Sequence, residues 1–116
     1  MKLVKTQIQL NELEAMASKS MFNLVKVVVD IDKEIMVVDA EMHADEEQYL
    51  LALGSKQRNL WGINLYPKKY GSKEFIEFDS MINLRPNENN LSRGIDNEMI
   101  KKKIETIVKK LVVKNV

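Results

Sequence analysis

The stretch from Val25 to Met42 constrains the fold more than any other part of the chain. Val25-Lys26-Val27-Val28-Val29 is a β-branched run, and Glu34-Ile35-Met36-Val37-Val38-Asp39-Ala40-Glu41-Met42 follows it after Asp30-Ile31-Asp32-Lys33, a connection of turn-forming composition. Together they predict an antiparallel hairpin. Successive strand side chains point to opposite faces, and both faces of this hairpin are rich in valine, isoleucine and methionine. A hairpin of that kind belongs in the centre of a sheet rather than at a wet edge.

The other elements arrange themselves around it. Residues 2–9 read as a short edge strand. Asn11 and Glu14 have the spacing of a capping box, which predicts a helix of about two turns with Leu13, Met16 and Ala17 inward. Asp45 and Gln48 repeat that spacing and Gly54 is a good C′ residue, so a second helix is expected between them with Tyr49, Leu50 and Leu53 as its apolar stripe. Leu60 to Tyr66 alternates, placing Trp61, Ile63 and Leu65 in the core and Asn64 and Tyr66 opposite, until Pro67 ends the strand. Phe75 to Pro86 alternates as well, with Ile76, Phe78, Ile82 and Leu84 on one side and Glu77, Asp79, Asn83 and Arg85 on the other. Asp96 is placed to cap a last helix, with Glu98 in its first turn and Ile100, Ile104, Ile107, Val108 and Leu111 at helical spacing. The order β-α-β-β-α-β-β-α predicts a two-layer α+β fold. Its sheet is expected to be roughly five-stranded, mixed and mostly antiparallel, with helices on one face, in a single globular domain over residues 1–116.

Composition excludes several chemistries. The chain has no cysteine, so disulfides, thiolate nucleophiles and cysteine-based zinc sites are out, and a reducing cytoplasm is the expected setting. The N-terminus lacks the apolar core of a signal peptide, and no apolar run approaches the ~18 residues of a membrane span. The net charge is +1, so no strong field draws nucleic acid. Lys101, Lys102, Lys103, Lys109, Lys110 and Lys114 make the last helix basic, but it carries no aromatic residue to stack on bases. A solvated helix face is the expectation there, and nucleic acid is not an expected partner.

Four groups of residues have the chemistry to bind something. Glu77, Asp79, Asn83 and Arg85 put two carboxylates, an amide and a guanidinium on one predicted strand face, and Asn64 and Tyr66 of the preceding strand are natural cross-strand neighbours. Glu41 and His43 share strand parity and Asp45 follows, so Glu41, His43, Asp45 and Asp79 are the candidate ligands for a divalent metal of the Mg²⁺, Mn²⁺ or Fe²⁺ kind. His43, the single histidine, is with Glu77 and Asp79 also a candidate proton-transfer group. Finally, the loop from Arg85 to Gly94 holds two of the three arginines and ends near a helix start, although it matches no phosphate-loop spacing.

The stretches Glu-Met-His-Ala-Asp-Glu-Glu (41–47), Gly-Ser-Lys-Gln-Arg-Asn-Leu-Trp-Gly-Ile-Asn-Leu-Tyr-Pro (54–67), Phe-Asp-Ser-Met-Ile-Asn-Leu-Arg-Pro (78–86) and Ser-Arg-Gly-Ile (92–95) resemble a small prokaryotic family of single-domain proteins, a domain of unknown function. The resemblance covers nearly the whole chain and implies a standalone cytoplasmic domain. It brings no activity or ligand with it. From the residues alone the leading expectation is a ligand-binding domain for a small polar, partly anionic molecule, using Glu41, His43, Asn64, Tyr66, Glu77, Asp79, Asn83, Arg85 and Arg93. The alternatives are a small metal-dependent hydrolase and a self-associating interaction module that forms a homo-oligomer through an open sheet face or edge.

Overall fold

The computed structural model describes residues 1–114. Along the chain run β1 (Lys2–Val4), β2 (Ile8–Gln9), α1 (Leu10–Ser18), β3 (Val25–Asp30), β4 (Ile35–Val38), α2 (His43–Ala52), β5 (Leu60–Leu65), β6 (Ile76–Glu77), α3 (Glu98–Leu111) and β7 (Val112–Val113), with short 3-10 turns in the connections after Lys56. Five strands form one sheet in the order β1-β4-β3-β5-β6, and every neighbouring pair in it is antiparallel. The fold is therefore α+β, as the element pattern predicts. Among the described residues, parallel pairing occurs only in a separate two-strand piece, β2 with β7. It ties the entry of α1 to the exit of α3. Strands of two residues carry no periodic signal, and β2 merges in the sequence with the predicted edge strand.

The valine hairpin is central, with β3 flanked by β4 and β5. Its two faces are both covered. Val27, Val29, Met36 and Val38, with Trp61 and Ile63 of β5, pack on Leu13 of α1 and on Ile104, Ile107, Val108 and Leu111 of α3. Val28 and Val37 point the other way and pack with Leu60 against Leu50 of α2. The layering thus differs from the expected one: α1 and α3 lie on one face, and α2 lies on the other. The reason is energetic. Each fully buried Val or Leu side chain contributes about 1.5–3 kcal/mol, so leaving this second apolar face to water would forfeit several kcal/mol.

Three local departures position the site. β4 stops at Val38 because Asp39 turns into the left-handed region at φ +70°, a conformation that aspartate tolerates better than most residues. The helix starts move too. α1 begins at Leu10 and α2 at His43 without side-chain caps, and α3 is capped by Asn97, whose Oδ1 accepts from the amides of Met99 and Ile100. The run 75–86 is not one strand. Only Ile76–Glu77 joins the sheet, pairing with Leu65 and Asn64; 3-10 turns follow at Met81–Asn83 and Pro86–Glu88, and Arg85 forms an isolated antiparallel bridge with Asn90. The chain crosses over the sheet in this stretch, so Ile76 and Phe78 join the core beside α3 while Ile82 joins the one beneath α2.

Candidate functional site

The buried face of α2 is unusual. Its three buried residues are His43, Glu46 and Leu50, which share one side of the helix at i, i+3 and i+7. Leu50 does the packing. The other two place an imidazole and a carboxyl group where a globular helix normally buries aliphatic side chains. The apolar stripe read from the sequence is correspondingly shifted: Tyr49 and Leu53 are exposed.

His43 is held through Nε2, which lies 2.7 Å from the Ile63 carbonyl oxygen. A carbonyl only accepts, so Nε2 carries the hydrogen and the neutral ring keeps its lone pair on Nδ1. Burial pushes the imidazole below its ordinary pKa of 6.5, more strongly than the hydrogen bond to Ile63 raises it, and Lys26, Asp79 and Arg93 are its charged neighbours. Glu46 is fully buried. Its Oε2 accepts from the Ala40 amide at 3.2 Å, while Oε1 has no partner among the described residues. Desolvation pushes this carboxyl up to about 10, against the opposing pull of the Ala40 amide, Lys26 and the N-terminal amino group. It is a protonated, neutral acid at pH 7.

Beneath this helix turn the sheet presents polar groups in register. Lys26 of β3 faces Asn64 of β5, and Asn64 faces Glu77 of β6. Asn64 donates from Nδ2 to Glu77 Oε1 at 2.9 Å and to the Asp79 carbonyl at 3.3 Å, and Tyr66 donates its hydroxyl to the same Glu77 oxygen at 3.0 Å. The Asn64 Oδ1 is buried without a partner among the described residues. Partial burial and the Glu77 carboxylate raise the Tyr66 phenol. Asp79 and Arg93 form a half-exposed ion pair at 2.7 Å near His43. At the end of the sheet, Lys26 also lines a 390 Å³ cavity together with Met16 of α1, Lys19 and Ser20 just past it, and Asp39 and Glu41 from the connection into α2. A more open hollow of 610 Å³ adjoins it across residues 39–41 and is bordered by Met1, Asp45 and Tyr49.

Asn83 and Arg85, two further candidates from the sequence, bond to the backbone around β5. Asn83 is fully buried and clamps β5: its Oδ1 accepts from the Gly62 amide at 2.8 Å, and its Nδ2 donates to the Gly62 and Arg93 carbonyls at 2.9 Å each. It stands in for a strand neighbour where β6 has ended. Arg85 is 4% exposed. Its guanidinium lies 4.3 Å from the centre of the Trp61 ring and donates to the carbonyls of Ile82 and Leu60. It braces the start of β5 and is not among the charged neighbours of His43, which are Lys26, Asp79 and Arg93. Asn90, not singled out by sequence, organises the loop that follows. Its amide reaches the carbonyls of Asn83, Ser92 and Gly94, and its Oδ1 accepts from the Asp96 amide.

Among the described residues no three His, Asp or Glu side chains converge so as to hold a metal ion. The set Glu41, His43, Asp45 and Asp79 is therefore not assembled into a metal centre. Strand parity put Glu41 and His43 together, but the chain has already left β4 and begun α2 there. Sequence reading also missed Glu46 and Lys26. The first looked like an ordinary acid of a helix N-terminus and the second like a solvated strand lysine. The signal for Glu46 was its i+3 and i−4 spacing to His43 and Leu50.

These features define a small α+β domain built on an antiparallel sheet, with a polar layer trapped under one helix. No membrane-length apolar helix occurs among the described residues. The chain belongs to DUF5674, a family described as proteins of unknown function, whose family model matches residues 2–111. The resemblance carried by residues 41–47, 54–67, 78–86 and 92–95 holds at that level. No curated protein and no solved structure matches the chain.

Proposed function

We propose that this domain binds a small polar ligand carrying an anionic group, in the 390 Å³ cavity at the end of the sheet beside the first turn of α2. Lys26 is the central residue in this reading, because it lines the cavity and is a charged neighbour of both His43 and Glu46. Asp39 and Glu41 line the same cavity. Asn64, Tyr66, Glu77, Asp79 and Arg93 extend the polar surface along the sheet, and His43 adds an imidazole there whose pKa burial lowers. The observation that carries the reading is the buried face of α2. Two aliphatic side chains at positions 43 and 46 would stabilise the fold by about 1.5–3 kcal/mol each, whereas an imidazole and a carboxyl pay a desolvation penalty. Buried titratable groups with perturbed pKa values cluster at functional sites.

Titration of labelled protein with sodium phosphate and sodium acetate, read by amide chemical shifts, tests the proposal. Saturable shifts at residues 26 and 39–43, abolished by Lys26→Ala without loss of fold, are expected. Shifts spread evenly over the surface lysines would refute it. A cytoplasmic setting is part of this reading and is supported by the cysteine-free composition. Self-association is a second reading, favoured by Met21 and Phe22, which stand 88% and 70% exposed on the connection between α1 and β3. Light scattering that reports only monomer would exclude it.

A further inference from the structure

The cavity at the end of the sheet is lined by charges of both signs, and they are not spent on one another. Lys19 and Lys26 come from the residues just past α1 and from β3, while Asp39 and Glu41 come from the connection from β4 to α2. The ion pairs among the described residues are Lys2–Glu12, Arg93–Asp79, Lys101–Glu98 and Lys110–Glu34, so none of the four cavity charges is paired. Met16 and Leu24 supply apolar surface in the same cavity. Asp39 is also fixed in place. It is pinned at φ +70°, and its amide bonds to the Lys26 carbonyl at 3.2 Å.

A purely anionic ligand would be attracted by the two lysines and repelled by the two carboxylates, and a purely cationic one would meet the reverse. A molecule carrying both charges on an aliphatic body satisfies both sets of charges and covers the methionine and leucine of the same cavity. A volume of 390 Å³ lies at the small end of ligand pockets, which run from about 300 to 1,000 Å³, and suits a molecule of free amino-acid size. We infer that the ligand is a zwitterion of this kind, an aliphatic amino acid, with its carboxylate toward Lys19 and Lys26 and its ammonium toward Asp39 and Glu41. This deepens the binding function proposed above and rests on the same cavity.

The test compares three probes of similar shape by calorimetry and amide-shift titration: L-leucine, 4-methylpentanoate, which lacks the ammonium, and 3-methylbutylamine, which lacks the carboxylate. L-leucine is expected to bind at least about tenfold more tightly than either single-charge compound, since each lost charge contact of about 1.4 kcal/mol corresponds to tenfold in affinity. Lys26→Ala and Glu41→Gln should each weaken L-leucine by a similar factor. Glu41 is exposed, so the second variant leaves the core intact. Equal binding of 4-methylpentanoate and L-leucine would overturn the zwitterion and leave the anion-binding proposal standing. If none of the three probes, nor phosphate or acetate, shifts residues 26 and 39–43, both fall.

Discussion

Replacing Glu46 by glutamine should make this protein more stable at neutral pH, and by an amount that depends on pH in a definite direction. The carboxyl is completely buried and its pKa is pushed up to about 10 from 4.5. Between those two values the folded protein holds a proton that the unfolded chain has released. The unfolded state then binds fewer protons, so stability falls as pH rises, by up to about 1.4 kcal/mol per pH unit. At pH 7 the cost of keeping Glu46 neutral is accordingly about 3 kcal/mol. Glutamine has nearly the same shape, keeps an oxygen for the Ala40 amide and has no proton to lose. Its extra N–H needs an acceptor in the space around Oε1, which can subtract about 1 kcal/mol. The expected net gain at pH 7 is about 2–3 kcal/mol, or roughly 8–12 °C in melting temperature for a domain of this size. Urea unfolding at pH 5, 7 and 9 measures it. The two proteins should nearly coincide at pH 5 and diverge as pH rises. A glutamine variant less stable at every pH, or a difference that does not change with pH, would refute the reasoning. It would mean that Glu46 is ionised in the fold and neutralised by Lys26.

Three further outcomes follow from the same structure. His43 titrates in the opposite sense: its folded pKa lies below 6.5, so the unfolded chain takes up the proton first and stability is lost as pH falls through that value, and imidazole NMR shifts should show a midpoint below 6.5. Gly62→Ala should destabilise by about 1–3 kcal/mol in urea titrations, because its Cβ would lie 2.6 Å from the Cβ and Oγ of Ser80, itself tethered by its amide to the Arg93 carbonyl. Asn83→Ala should lower stability by about 2–4 kcal/mol and speed amide exchange at Gly62, whose buried N–H and C=O lose their partner.

What the sequence determined by itself is the sheet and most of its core. The central hairpin, the alternation that buries Trp61, Ile63 and Leu65, and the helical spacing of Ile104, Ile107, Val108 and Leu111 are local, periodic signals. Each reads correctly because a side chain's face follows from its neighbours in the chain. Gly54, at φ +97° just past α2, is likewise legible from the turn chemistry alone. The tertiary structure decided which polar residues are buried and what they bond to. Asn83 and Arg85 look like ligand-binding groups in the sequence, and yet they serve the backbone of β5, because the chain stops pairing after Glu77 and its open edge needs donors and acceptors from elsewhere. Glu46 looks like a solvated acid, and yet it is the most deeply buried ionisable side chain of α2. Burial and hydrogen-bond partnership depend on elements far apart along the chain, and no local period encodes them. The placement of α2 on the second face of the sheet brings His43 and Glu46 over Lys26 and leaves the charged cavity beside them.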